Sequence, residues 1–256
     1  MTEKIFLLGG YDLEMLTIRA LLKENHIRYV DKKLNWTNAS LTKYTDELNR
    51  YANDAAVTIY GIELQEKDVA YIPANYIRID HHNDYSHLPS ALEQTAAILD
   101  VQLDAEQQLI AANDRGYISA MQALGANEDE IKRIRLLDRR AQGVTETDEL
   151  LAEEAIRNKS ETNGITIINS QMNRFSPITD RLYPYEKLLI YTNDELIYYG
   201  VGKASLVSYF KDEIASGKMF HGGGDCGFIG TVRSVYSKED ITGLKNKILA
   251  MIPPDI

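Results

Sequence analysis

The chain has 256 residues, of which 44% are apolar and 26% charged, the balance of an ordinary globular protein. Its net charge of -10 argues against tight, sequence-independent binding to long nucleic acid, because such binding requires many Lys and Arg side chains to neutralise phosphates. A run of eighteen apolar residues and a signal-peptide pattern are both absent from the sequence, so we expect a soluble, cytoplasmic protein without a membrane partner. The single cysteine, Cys226, can form no internal disulfide and is predicted to be a packed thiol.

The first half of the chain alternates predicted strands with predicted helices. Strands are predicted at residues 4–8, 27–30, 56–60 and 76–79. Helices are predicted at residues 13–22, at 38–51 and from Ser90 onward. Ser90 and Glu93 form a capping-box pattern, which marks the start of the third of these helices. Such alternation predicts an α/β fold with a mostly parallel sheet covered by helices on both faces.

The second half of the chain is predicted to begin with helices and to continue with short strands and helices. Residues 104–140 are predicted to be helical with breaks near Gly116 and Gly125, and a charged helix follows over 145–158. Short strands are predicted at residues 165–168, 187–191, 196–199 and 228–232, and helices at 204–215 and 240–251. The predicted division is a first domain at 1–142, a linker helix within 143–160, and a smaller mixed α/β domain at 161–256.

Polar side chains follow the predicted strands of the first domain. Asp12 and Glu14 come after the first strand, Glu63 after the third, and Asp80-His81-His82 directly after the fourth. The carboxyl ends of parallel strands meet at one edge of a sheet, and carboxylates with imidazoles gathered there are typical of a metal site. Two simpler interpretations remain open: acids at a helix N-terminus are favoured by the helix dipole, and the histidines could be hydrogen-bonded surface residues.

Three motifs resemble those of the DHH phosphoesterases, and they occur in the same order. Ile79-Asp80-His81-His82-Asn83 resembles the signature motif of that family. Asn113-Asp114-Arg115-Gly116-Tyr117 is similar to its later Asp-Thr-Gly-x-Phe motif. Gly222-Gly223-Gly224 is similar to the glycine loop of the family's C-terminal domain. The resemblance spans most of the chain.

The resemblance implies a site for one or two divalent ions, with Mn²⁺ as the expected metal. It implies that one ion is held by Glu14, Glu63, His81 and Asp114. A second ion would be held by Asp12 and Glu63, while Asp80 supports the ligands and His82 faces the substrate phosphate. The substrate-binding residues expected in the second domain are Lys203, His221, Gly222, Gly223, Gly224 and Asp225. Arg115 could reach a phosphate or could be a solvated side chain.

Several positions depart from the family pattern. Leu8 stands where the family has a histidine, and leucine cannot bind a metal. Glu14 and Glu63 replace aspartates, and Asp225 replaces the histidine after the glycine loop.

Two classes of function follow from these observations. We predict a metal-dependent hydrolase of a small phosphoester, such as a short oligonucleotide or a nucleotide. The alternative is a non-catalytic nucleotide-binding, phosphate-binding or regulatory protein that has lost part of the metal site, which Leu8 would explain. A phosphoryl-transfer step in biosynthesis and assembly as a homodimer both stay open, since sites rather than folds set function.

Overall fold

The computed structural model describes residues 2–224 and 227–253. They form two compact units with the boundary after Gly143. Asp225 and Cys226, for which the sequence predicted a substrate-binding role and a packed thiol, lie outside the described residues. In the described part of the chain, no helix has both the length and the apolar character needed to cross a membrane.

A four-stranded parallel sheet forms the centre of the first unit. Its strands are β1 (Glu3–Leu7), β2 (Arg28–Val30), β3 (Val57–Ile62) and β4 (Tyr76–Ile79). They lie in the order β2-β1-β3-β4, and every pairing is parallel. The predicted parallel sheet is therefore confirmed, and the carboxyl ends of β1, β3 and β4 lie at one edge.

Helices cover both faces of this sheet. They are α1 (Leu13–Glu24), α2 (Thr45–Tyr51), α3 (Ala91–Leu99), α4 (Ala105–Ala123) and α5 (Glu128–Ala141). Short 3-10 turns span Leu41–Tyr44 and Asn83–Tyr85. The capping box between Ser90 and Glu93 is present at the start of α3, as predicted. Helix α4 is interrupted by non-helical backbone at Gly116 and Tyr117, close to the break that the sequence predicted.

The second unit contains a six-stranded mixed sheet. Its strands are β5 (Ser160–Thr162), β6 (Ile165–Asn169), β7 (Lys187–Tyr191), β8 (Leu196–Gly200), β9 (Met219–Gly222) and β10 (Phe228–Thr231). They lie in the order β5-β6-β7-β8-β10-β9, and only β6 and β7 pair in parallel. The predicted α/β class with a mixed second sheet is confirmed. Strand β9 was not predicted, because glycines at its end suggested a loop.

Helices pack on this second sheet as well. They are α6 (Glu146–Arg157), α7 (Ser176–Leu182), α8 (Lys203–Tyr209), α9 (Lys211–Ala215) and α10 (Lys238–Met251). The helix expected to link the domains, α6, buries Ala152 and Ala155 in the core of the second unit, beside Ile168 and Leu188. The single helix predicted at 204–215 is divided at Phe210 into α8 and α9.

Candidate metal centre

Two adjacent strand ends supply three of the polar side chains. Glu63 follows β3, and its backbone N–H donates to the carbonyl of Ile79 at 2.8 Å, which ties the end of β3 to the end of β4. Glu63 has φ +49°, a left-handed conformation that is unusual for a residue with a side chain and is often found at functional sites. His81 and His82 follow β4, and the Asp80 carboxylate accepts a hydrogen bond from the His82 N–H at 2.9 Å. Asp80 therefore shapes the turn that carries both histidines.

Helices supply the other two side chains. Glu14 lies in the first turn of α1, and its Oε1 atom accepts a hydrogen bond from the N–H of Leu92, in the first turn of α3, at 2.9 Å. That bond leaves the other oxygen, Oε2, 3.8 Å from the imidazole of His81. Asp114 lies in α4, two residues before the interruption at Gly116. Helices α1 and α4 thus bring Glu14 and Asp114 to the strand ends, and the first turn of α3 orients Glu14.

The side-chain atoms of these five residues lie very close together. His81 Nε2 is 2.6 Å from Asp114 Oδ2, 3.2 Å from Glu63 Oε1 and 3.8 Å from Glu14 Oε2. His82 Nε2 is 3.4 Å from Glu63 Oε1. The potential ligand atoms of Glu63, His81, His82 and Asp114 all lie within 4.8 Å of one another. Two carboxylates and two imidazoles therefore face a common point, and the Glu14 carboxylate lies nearby, 3.8 Å from His81 Nε2.

Each of these atoms is buried, and none completes a hydrogen bond. The unpartnered atoms are Glu14 Oε2, Glu63 Oε1, His81 Nε2, His82 Nε2 and Asp114 Oδ2. Their close approach does not have the angles of a hydrogen bond, although some pairs are near enough for one. Leaving one such buried atom without a partner costs about 1–3 kcal/mol, and more for a charged group. Four of these residues, Glu63, His81, His82 and Asp114, are grouped closely enough to fit a divalent cation, which would satisfy their unpartnered atoms together.

The electrostatics of the cluster also fit a cation. Burial raises the pKa of Glu14 well above its usual value, and the charges of Asp114 and Glu63 raise it further. Burial alone would lower the pKa of His81, but the facing carboxylates of Asp114 and Glu63 outweigh burial and raise it to about 10. The carboxylates therefore require a positive charge at this point. A divalent ion supplies that charge and leaves His81 neutral, the state in which imidazole binds metals.

The residues expected around a second ion are arranged differently. Asp12 is buried, and its Oδ1 atom caps α1 by accepting a hydrogen bond from the Met15 N–H at 2.8 Å. In the described residues the grouped ligand atoms include neither Asp12 nor Glu14, but Glu14 keeps an unpartnered oxygen 3.8 Å from His81 Nε2. Leu8 is only 1% exposed, and its carbonyl accepts a hydrogen bond from the Tyr44 hydroxyl at 2.6 Å. The position of the expected histidine thus belongs to the apolar core.

Arg115 lies apart from the cluster, although it follows Asp114 directly. Its guanidinium is 3.3 Å from the Glu93 carboxylate, and both side chains are partly exposed. The sequence also placed His82 toward the substrate phosphate, whereas the structure places its Nε2 atom among the potential ligand atoms. The His82 side chain is nevertheless 41% exposed, so it forms the accessible side of the centre.

Of the predicted substrate-binding residues of the second unit, the described ones lie in α8, in β9 and directly after β9. Gly222 ends β9, and Gly223 and Gly224 follow with φ values of +71° and +63°, which favour glycine. Lys203 is buried, and its ammonium donates to the carbonyls of Gly222 and Gly224. His221 pairs with Ile229 across β9 and β10 and has an exposed side chain. The structure thus gives Lys203 a role in holding the glycine loop.

Sequence reasoning missed two features of the first unit. Arg135 is buried and lies 2.8 Å from both the Asn113 side-chain oxygen and the Asp138 carboxylate, which fixes α4 just before Asp114. Trp36 lies beside His82, with 5.8 Å between the ring centroids. For the contact between Trp36 and His82, the only signal in the sequence was a single tryptophan within a polar turn.

Comparison with known proteins gives a clear result for the fold. No family model and no curated protein matches the chain. Among solved structures, a DHH domain described as belonging to a family of ribosomal proteins matches with a TM-score of 0.58 and 10% identity, over 97% of this chain and 87% of that chain.

Two structures of RecJ match less closely. RecJ from Thermus thermophilus, in complex with Mn²⁺, matches with a TM-score of 0.48 and 10% identity, over 99% of this chain and 53% of that chain. An exonuclease RecJ bound to manganese matches with a TM-score of 0.44 and 9% identity, over 98% of this chain and 91% of that chain. The fold assignment rests on the match with the higher TM-score. The chain therefore has the fold of a DHH domain protein, as the order of its sequence motifs predicted.

Proposed function

We propose that the chain hydrolyses a phosphoester bond in a small phosphorylated substrate with the help of one divalent metal ion. The proposed ligands are Glu14, Glu63, His81 and Asp114. The observation that carries the proposal is the set of buried, unpartnered side-chain atoms that face one point. Manganese is the proposed ion, because it belongs to the ions that carboxylate oxygens suit and these oxygens outnumber imidazole nitrogens in the set; the same rule also admits Mg²⁺, so both are tested. When bound, such an ion supplies Lewis acidity, which neutralises charge on phosphoryl oxygens and activates water.

His82 is the proposed contact to the substrate. Its side chain is the most exposed of the five, and the nearby Glu63 carboxylate raises its pKa. The exposed part of a protonated His82 ring would donate a hydrogen bond to the phosphoryl group and pass that proton to the leaving oxygen as the ester bond breaks. Asp80 orients His82 through its backbone N–H, so Asp80 acts as a positioning residue.

The net charge supports a small substrate. At -10 the chain lacks the excess of basic residues that proteins use to neutralise many phosphates at once. A nucleotide or a short oligonucleotide places few charges near the protein, and the ion can compensate those closest to the reacting bond. We therefore propose a nucleotide-sized phosphoester as the substrate class.

The test measures bound metal and turnover in the same preparations. Full-length protein is analysed for Mn, Fe, Zn and Mg, then assayed with added Mn²⁺ or Mg²⁺ on nucleotide monoesters and on short oligonucleotides. We expect stoichiometric metal and turnover in the wild type and in Lys132→Ala, an exposed control in α5. His81→Ala should lose both. A His81→Ala variant that equals the wild type in metal content and rate contradicts the proposal.

A second candidate function is supported by Leu8 and Asp12. Leu8 is buried in the core and Asp12 uses one carboxylate oxygen to cap a helix, which supports a site with a weakened second ion position. A centre of this kind could bind a phosphorylated ligand without cleaving it. Calorimetry that detects nucleotide binding unaffected by chelator, together with no turnover under any metal, would favour this binding function.

A further inference from the structure

The only tryptophan of the chain lies in a surface turn beside the metal centre. Trp36 is 39% exposed, although its ring also contacts Gly10 and His82. The residues that flank the turn, Leu34 and Ala39, are 7% and 2% exposed and anchor it in the core. The turn is thus anchored at both ends, while part of the Trp36 side chain remains exposed to solvent.

Hydrogen bonds make this turn rigid before any ligand binds. Asn35 N–H donates to Asn38 Oδ1 at 2.8 Å, and Asn38 N–H donates to the Asn35 carbonyl at 3.0 Å. The Asn35 side-chain oxygen also accepts from the Thr37 N–H at 3.1 Å. Because the turn is ordered in advance, a contact made by Trp36 loses little conformational entropy on binding.

The position of the indole is set by Gly10 and His82. A Cβ atom at Gly10 would lie 2.6–2.7 Å from three atoms of the Trp36 ring, so the indole rests directly on the backbone of Gly10. Any larger residue at position 10 would displace it. The His82 ring stands nearly perpendicular to the indole, at an interplanar angle of 89°. The exposed part of the indole is therefore next to the most accessible residue of the centre.

From this geometry we infer that Trp36 is a substrate-binding residue that stacks on the nucleobase of a nucleotide whose phosphate lies at His82. This inference rests on the proposed function, because it takes the phosphate to be held at the centre. An exposed indole in a rigid turn offers a planar apolar surface, and every base has a face that can stack on it. The substrate class selected in this way is a nucleotide rather than a sugar phosphate.

The test compares two ligands that differ only in the base, AMP and ribose 5-phosphate. Both are titrated into Mn²⁺-loaded full-length protein, with calorimetry for affinity and tryptophan fluorescence for contact, since the whole tryptophan signal comes from Trp36. If either ligand is hydrolysed, kcat and KM are measured separately. We expect AMP to bind at least about fivefold more tightly than ribose 5-phosphate and to change the fluorescence, as base–aromatic stacking predicts.

Two substitutions separate stacking from a structural role. Trp36→Phe keeps an aromatic face and should retain most of the preference for AMP, whereas Trp36→Leu keeps apolar volume alone and should abolish it. Ribose 5-phosphate affinity should stay within about twofold in both variants. The control is Tyr71→Leu, an exposed aromatic residue that precedes β4 and so lies at the other end of that strand from His81.

Equal affinity for AMP and ribose 5-phosphate in the wild type would overturn the inference. So would a Trp36→Leu variant that weakens both ligands equally, because that result indicates a purely structural role. Failure of the proposed function itself has a different signature: the wild type would bind no metal, and neither ligand would bind in a metal-dependent way. That outcome would overturn both conclusions together.

Discussion

The Nε2 atom of His81 lies 2.6 Å from the Oδ2 atom of Asp114, and neither atom completes a hydrogen bond. The two residues come from a strand end and from a distant helix, so the contact exists only in the folded unit. A contact this close between buried polar atoms is explained by a shared partner. Substituting Asp114 should therefore reveal what that partner contributes to the folded state.

Metal binding should stabilise the wild type and not Asp114→Asn. A ligand at a hundred times its Kd stabilises the folded state by about 2.7 kcal/mol. We expect Mn²⁺ to raise the Tm of chelator-treated wild type. In Asp114→Asn the rise should disappear, since metal affinity should fall by more than the roughly 10- to 100-fold typical of an outer-shell change. Thermal scans with and without Mn²⁺ measure both effects.

In the absence of metal, Asp114→Asn should be no less stable than the wild type. Without a cation, the Asn side chain removes one of four crowded carboxylates, those of Asp12, Glu14, Glu63 and Asp114, so Asp114→Asn should be at least as stable as the wild type in chelator. A variant that is less stable than the wild type under both conditions would argue that Asp114 has a structural role only.

Ser90→Ala should weaken metal binding as well as the fold. Ser90 caps α3, and the loss of such a cap costs about 1 kcal/mol of unfolding free energy. The start of α3 also holds Glu14 through the Leu92 N–H. Loosening this end should therefore raise the Kd for Mn²⁺, measured by calorimetry.

Thr145→Ala is the matched control for that experiment. Thr145 caps α6 with the same kind of capping box, in the second unit. We expect a similar loss of stability and an unchanged Kd. Equal effects of the two variants on the Kd would show that general destabilisation, and not the position of Glu14, limits metal binding.

Gly9→Ala should distort the metal centre by pushing on the backbone of Ile62 and Glu63. A Cβ atom at Gly9 would lie 2.3 Å from the Ile62 carbonyl oxygen and 2.6 Å from that of Glu63. Both contacts are with backbone, which cannot move aside cheaply, so we expect a loss of about 1–3 kcal/mol from overpacking and a weaker Mn²⁺ site. Denaturant titration and calorimetry measure the two effects.

Gly243→Ala makes the same chemical change in an open place. Gly243 lies within α10, and nothing stands within 4 Å of a Cβ there. Alanine should stabilise that helix by roughly 0.5–1 kcal/mol and leave metal binding unchanged. If Gly9→Ala behaved in the same way, the close packing of Gly9 against Glu63 would be irrelevant to the site.

Asp194 should stabilise the second unit in a pH-dependent way. Hydrogen bonds from Asn173, Thr192 and Ser234, with Arg233 nearby, lower the pKa of its carboxyl to about 2 from an ordinary value of 3.8. A depressed folded pKa means that the stabilisation is present above about pH 4 and is lost as the pH falls toward 2.

The Asp194→Asn variant isolates this contribution. Because the side chain is 33% exposed and screened by water, we expect a loss on the order of 1 kcal/mol at pH 7. Urea titrations at pH 7, 4 and 3 should show the difference from the wild type shrinking below pH 4. A difference that stays constant over this range would mean that the charge of Asp194 is not its source.

The sequence predicted the strand ends of the first unit well, for a physical reason. Glu63 and His81 follow two short runs rich in Ile and Tyr, which favour strands, and parallel strands bring their carboxyl ends together. Their proximity therefore followed from local patterns alone. The capping box at Ser90 was equally local, since four consecutive residues define it.

Other features depend on contacts that no local pattern contains. The orientation of Glu14 is set by the Leu92 N–H, far along the chain. The Nε2 atom of His82 faces Glu63, which lies on a neighbouring strand end. The Trp36 ring fits against Gly10 only because glycine has no side chain there. Strand β9 was missed because its pairing with β10 outweighs the poor strand propensity of glycine.

The spacing of the ligands along the chain also matters for biosynthesis. The centre draws on residues 14, 63, 81 and 114, which span most of the first unit. During translation, no complete set of ligands exists until Asp114 and the helices around it have left the ribosome. The emerging chain must therefore keep its carboxylates in water until most of the first unit has been made, and capture of a cation would be among the last events that lock this unit in place.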